Sequence, residues 1–171
     1  MKFMIYTILL FFCVPIELYS QQSAFPLEKK QINLYSSYCN KEVILKMNTD
    51  TMDNYVITFY LKKRKHKRFL TDIDYGIAGE DNFIVLRNKW VAVGSVGIYG
   101  RMTEGTNYVL YNKPNRKSKK SIFPAQEIDS TFQILDMRDG WYKVMIVYRN
   151  KRFSLWLPPE SVCDDFYNSC T

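Results

Sequence analysis

FQILDMRDGWYKVMIVYRNKRFSLWLPPE, residues 132–160, decides how this chain folds. It holds three apolar-rich runs separated by two turn signals, Asp139-Gly140 and Arg149-Asn150-Lys151. Asp-Gly between two apolar runs is a strong hairpin signal, because a tight two-residue turn needs backbone conformations that Gly and Asp tolerate. Trp141, Val144, Ile146 and Tyr148 are expected to face one side of the resulting sheet. Pro158-Pro159 ends the third run, since proline cannot donate to a β ladder. The stretch therefore predicts an antiparallel meander closed off by prolines.

Working outward, the same texture continues toward the N-terminus. Short runs rich in Val, Ile, Tyr, Phe and Trp recur at residues 43–47, 55–61, 83–86, 90–93 and 108–111. Such residues suit a pleated, half-buried surface. No stretch keeps a 3.6-residue apolar period beyond ten residues or so, which argues against substantial helices. Aromatic residues make up 16% of the chain, enough for a small β core to bury area with few residues. The turn formers Gly100, Gly105, Thr106 and Asn107 suggest a seam at residues 100–107. Across it, Phe83-x-Val85-Leu86…Trp90-x-x-Val93 echoes Phe132-x-Ile134-Leu135…Trp141-x-x-Val144, so a repeated hairpin unit is one reading.

The first residues read as an export signal. Lys2 precedes an apolar run over residues 3–15, short for a membrane span, and Ser20 offers a cleavage point. Residues 1–20 are therefore expected to be a signal peptide and the protein to be exported, periplasmic or secreted. The chain of 171 residues carries a net charge of +7, and removing Lys2 and Glu17 leaves that balance unchanged. A basic surface favours anionic partners such as wall polymers or lipid headgroups. A specific nucleic-acid partner is not expected of an exported chain. Cys39, Cys163 and Cys170 would remain after cleavage. In an exported chain pairing is the default, and Cys163–Cys170 is the local, terminal choice. Cys39 would then be a buried free thiol or a point of intermolecular pairing.

Residues 108–162 carry a more specific pattern. Tyr108-Val109-Leu110-Tyr111-Asn112-Lys113-Pro114 opens with a strand and a proline turn, and the polar loop Asn115-Arg116-Lys117-Ser118-Lys119-Lys120-Ser121 follows. Asp139-Gly140-Trp141-Tyr142-Lys143-Val144 and Leu155-Trp156-Leu157 complete it. This resembles the bacterial SH3-like (SH3b) domain, marked by a strand–proline–loop opening, a DGW-x-K-V hairpin and a late GW-[ILV] strand. Leu155 stands where that family has glycine. The WLPPE ending with its two-cysteine tail also resembles exported SH3-like proteins of the Bacteroidetes type. The resemblance implies an all-β chain with an SH3-like small barrel and a disulfide-closed tail at residues 107–171, preceded by a β-rich region at residues 25–106.

The candidate functional residues follow from these readings. Tyr111, Arg116, Lys117, Trp141 and Tyr142 are candidates for a ligand-binding groove, with Tyr111 and Tyr142 the better surface positions. Lys62, Lys63, Arg64, Lys65, Lys67 and Arg68 form a candidate polyanion patch. Enzyme chemistry is not expected. His66 is the single histidine and sits inside a run of cations, which crowd out any bound metal. Asp136, Asp139, Glu127 and Asp129 flank turns and read as turn or cap residues. No cofactor or metal is expected. The expected function is a non-enzymatic binding module of the bacterial cell envelope, recognising a peptide, peptidoglycan or an envelope protein. The alternative is a secreted inhibitor or immunity-type protein that blocks an enzyme.

Overall fold

A computed structural model describes residues 22–27, 31–48, 55–77, 80 and 82–163. The proposed signal peptide, residues 1–20, and Cys170 lie outside them. The chain is all-β. Its strands are β1 (Gln22–Pro26), β2 (Gln31–Tyr35), β3 (Val43–Asn48), β4 (Tyr55–Lys65), β5 (Arg68–Ile77) and β6 (Ile84–Ala92), then β7 (Val96–Tyr99), β8 (Asn107–Tyr111), β9 (Lys120–Pro124), β10 (Thr131–Arg138), β11 (Trp141–Tyr148) and β12 (Lys151–Leu157). Two single 3₁₀ turns, Ala125–Glu127 and Pro159–Ser161, interrupt the strands.

All pairings are antiparallel, in the order β3-β2-β6-β5-β4-β1-β7-β10-β11-β12-β8-β9, and the sheet is open. The hairpins follow from local turn chemistry. Asp139 (φ 49°) with Gly140 (φ 81°), and Arg149 (φ 47°) with Asn150 (φ 60°), supply the left-handed pairs that match the twist of the flanking strands. Arg149 is the costly member, because its Cβ crowds the backbone in this region.

The centre of the sheet is not a local hairpin. β1 divides its pairing between two neighbours. Gln22, Ser23 and Ala24 lie opposite Leu61, Tyr60 and Phe59 of β4, whereas Phe25 and Pro26 lie opposite Gly97 and Val96 of β7. Where β1 leaves β7, residues 161–163 take its place. Val162 bridges Gly100, Arg101 N–H donates to Ser161 O (2.7 Å), and Cys163 N–H donates to Tyr99 O (3.0 Å). Pairing therefore crosses the glycine-containing stretch 100–107, since β7 also pairs with β10. Gly100 is itself a ladder residue packed under Phe132, not a turn residue.

One apolar cluster runs through both halves. Leu34, Phe59, Phe69 and Ile73 come from the first half, and Phe132, Ile134, Tyr142, Val144 and Leu157 from the second. Each such side chain contributes roughly 1.5–3 kcal/mol by leaving water. On β11 the core face is Tyr142, Val144 and Ile146, with Tyr148 packed against it. The expectation that Trp141 shares this face is corrected. A period of two puts an odd-numbered residue on the opposite side. The repeat reading also fails in its pairing. Phe132–Val144 spans two strands joined by a turn, but Val85, Leu86 and Trp90 all lie on the single strand β6.

Candidate binding surfaces

Two of the three aromatic candidates, Tyr111 and Trp141, meet on the outer face of the C-terminal half. Tyr111 on β8 lies opposite Trp156 on β12, which lies opposite Lys143 on β11. Tyr111 meets Trp141 edge to face, with ring centroids 5.4 Å apart at 86°. The two tryptophans are 9% and 8% exposed, so Tyr111 is the accessible edge of this group. The loop at residues 112–119 stands beside it and is shaped from within. Asn112 N–H donates to Lys119 O, Ser118 Oγ donates to Lys113 O, and Lys117 N–H donates to Asn115 Oδ1. Arg116 reaches Glu160 at 2.9 Å, a pair exposed on both sides and therefore weak. Lys117 is exposed. Tyr142 is corrected as a surface candidate. It is 0% exposed, because its even-numbered position points into the core.

The basic hairpin β4–β5 is less available than its sequence suggests. Lys62 Nζ pairs with Asp72 Oδ1 (2.8 Å) and Arg64 with Asp136 Oδ2 (2.9 Å). The Lys65 ammonium lies 3.8 Å over the Tyr38 ring, and the Arg68 guanidinium lies 3.4 Å over Tyr35. Arg68 also donates to the carbonyls of Ser37 and Asn40. His66 stacks on Tyr38, which in turn packs against Trp90. Four of the six candidate cations are thus engaged: Lys62 inside the hairpin, Lys65 and Arg68 with residues 35–40, and Arg64 with β10. Lys63 and Lys67 are exposed.

A buried carboxylate at the root of this hairpin was not anticipated from the sequence. Asp72 is 3% exposed on β5. Its Oδ1 accepts from Lys62 Nζ and from the Asn88 backbone N–H (2.8 Å), and its Oδ2 accepts from Arg87 (3.0 Å). Both neighbouring strands shift register here, between Leu61 and Lys63 on β4 and opposite Thr71 and Ile73 on β6. Asn88 takes φ 53° to turn its N–H to the carboxylate. Burial acts most strongly on this carboxyl and raises its pKa. The Lys62, Asn88 and Arg87 hydrogen bonds together outweigh burial and hold it below the ordinary value. The available signal was an acid inside an apolar strand, Phe69-Leu70-Thr71-Asp72-Ile73, paired with a lysine-rich one.

The turn carboxylates behave as structural groups. Asp129 Oδ1 accepts from Thr131 N–H, Asp136 Oδ1 accepts from Met137 N–H, and Glu127 pairs with Arg149. Among the described residues no cluster of three His, Cys, Asp or Glu side chains is placed to hold a metal ion. Cys39 is the free thiol among the described residues. It is exposed, which corrects the buried alternative and leaves intermolecular pairing open. Cys163 is 8% exposed at the end of the bridge to β7.

No family model matches the chain, and neither a curated protein nor a solved structure matches it.

Proposed function

We propose that this protein is a non-enzymatic, exported binding module of the bacterial cell envelope. Its C-terminal half would be an SH3-like unit that recognises a peptide, peptidoglycan or an envelope protein. The observation that carries the reading is the Tyr111–Trp141 pair, with Tyr111 partly buried beside a loop that presents Arg116 and Lys117. A flat aromatic edge next to cations suits an extended peptide with a carboxylate. Three further features support the SH3-like reading: the β10–β11–β12 meander, the 3₁₀ turn after it, and the return of Val162 to β7. The binding test is sedimentation with purified sacculi and envelope extract. The protein is expected to be enriched over a control of equal charge, and Tyr111→Ala with Lys117→Ala is expected to lower that enrichment at least about tenfold. Equal recovery of protein and control would overturn the reading.

The Cys163–Cys170 clasp belongs to the same proposal. It is supported by the buried position of Cys163 and by Cys39 being the free thiol among the described residues. The exported protein, denatured without reductant, is expected to titrate one thiol per chain, Cys39. Three thiols per chain would exclude the clasp.

A further inference from the structure

β6 pairs with β5 along its length, but with β2 only through Val91 and Trp90. Among the described residues, no strand pairs with its other side from Ile84 to Lys89. Unpaired N–H and C=O groups on an edge are a template for another strand. Three consecutive large apolar residues stand at this edge: Phe83 at 41%, Ile84 at 59% and Val85 at 42% exposure. Such a run on an edge is normally blunted by charge, proline or a covering loop.

We propose that this edge joins two copies of the chain through antiparallel β6–β6 pairing about Val85. The edge is complementary to itself, which favours a second copy as the occupant. A two-fold axis perpendicular to the sheet sets residues of equal parity opposite one another. Centred on Val85, it places Val85 against Val85, Ile84 against Leu86, and Phe83 against Arg87. The first two pairs are apolar on apolar, on opposite faces of the sheet. Leu86 packs against the core cluster and Ile84 lies on its face, so the core of each copy would extend into the other. The third pair puts the guanidinium of Arg87, which is 62% exposed, beside an aromatic ring instead of a like charge. The register shift and positive φ at Asn88 end the straight edge, which limits the contact to about five residues per copy and makes a weak, concentration-dependent dimer.

The two terminal edges are poorer choices. β3 carries the exposed Lys46 at its middle, and β9 begins at Lys120 and ends at Pro124, which cannot donate.

Sedimentation velocity of the purified protein over a hundredfold range of concentration tests this. A monomer–dimer shift is expected. Val85→Lys sets two ammonium groups opposite each other and should raise the dissociation constant at least about tenfold. Val85 is partly exposed, so its replacement should leave the melting curve unchanged. Ile122→Lys, at an equally exposed position on β9, should leave the dimer intact. In a Cys39→Ser background, Val85→Cys should form a disulfide-linked dimer on oxidation, because opposed Cα atoms at such a centre lie only about 4.5–5.5 Å apart. A protein that stays monomeric throughout, or a dimer that Val85→Lys leaves unchanged, overturns the proposal.

Discussion

Asp72→Ala is expected to destabilise the fold by about 2–4 kcal/mol, the largest effect of any single polar substitution considered for this chain. The change removes the acceptor of three charge-assisted or backbone hydrogen bonds and leaves the Asn88 N–H without its partner inside a double register shift. The Arg87 contribution is small, since its side chain is 62% exposed and screened by water. For a chain of this size the loss corresponds to a fall in melting temperature of roughly 5–12 °C. The pH dependence follows from the direction of the pKa shift. The folded-state carboxyl titrates below its unfolded value, so its stabilisation is complete above the unfolded pKa and is lost as pH falls through the folded one. Wild-type stability should therefore drop as the solution is acidified below about pH 4. Asp72→Asn keeps the shape but cannot ionise, so it should be less stable at neutral pH and lose less on acidification. Urea titrations at neutral and acid pH measure both. Parallel pH profiles for wild type and Asp72→Asn would rule out a role for the charge.

Gly100→Ala is expected to cost about 2–3 kcal/mol through overpacking. A Cβ at this position would stand 2.2 Å from Cε2 of Phe132. That ring is 1% exposed and set edge to face against Tyr108 at 5.2 Å, so it has little room to move. The backbone cannot yield easily either, because Gly100 N–H donates to Ser130 O (2.8 Å) and Gly100 bridges Val162. Gly105→Ala separates space from conformation. That glycine has no atom within 4 Å of an added Cβ but sits at φ +60°, so its cost should be about 1–2 kcal/mol, from backbone strain alone. Combining Gly100→Ala with Phe132→Leu should show positive coupling, because removing the ring edge relieves the clash. Thermal melts of wild type, Gly100→Ala, Gly105→Ala, Phe132→Leu and the double variant decide the matter. A Gly100→Ala variant that melts with wild type would show that the ring or strand yields freely.

Much of the strand content was legible because it is local. Asp139-Gly140 and Arg149-Asn150 announce hairpins in adjacent residues, and the apolar runs around them supply the strands. The candidate sites were legible only as residue types. The lysine-rich segment reads as a free cationic patch because its partners are distant in sequence: Asp72 lies across one hairpin, Tyr38 in an earlier loop, and Asp136 in the other half of the sheet. Tyr142 and Trp141 differ by one residue, and the sequence alone did not say which faces inward. The face is set by the register of β11 against β10 and β12, which buries Tyr142.

What the sequence by itself determined is the all-β character and the C-terminal meander, for which turn geometry and alternation within a few residues suffice. What only the tertiary structure decided is the order of strands. β1 switches from β4 to β7, residues 161–163 fill the space it leaves, and among the described residues no strand pairs with the outer side of β6 from Ile84 to Lys89. Those outcomes depend on contacts between residues more than thirty positions apart. They are selected by the joint packing of one core and the satisfaction of every buried backbone group, and neither requirement leaves a signature in any single stretch of chain.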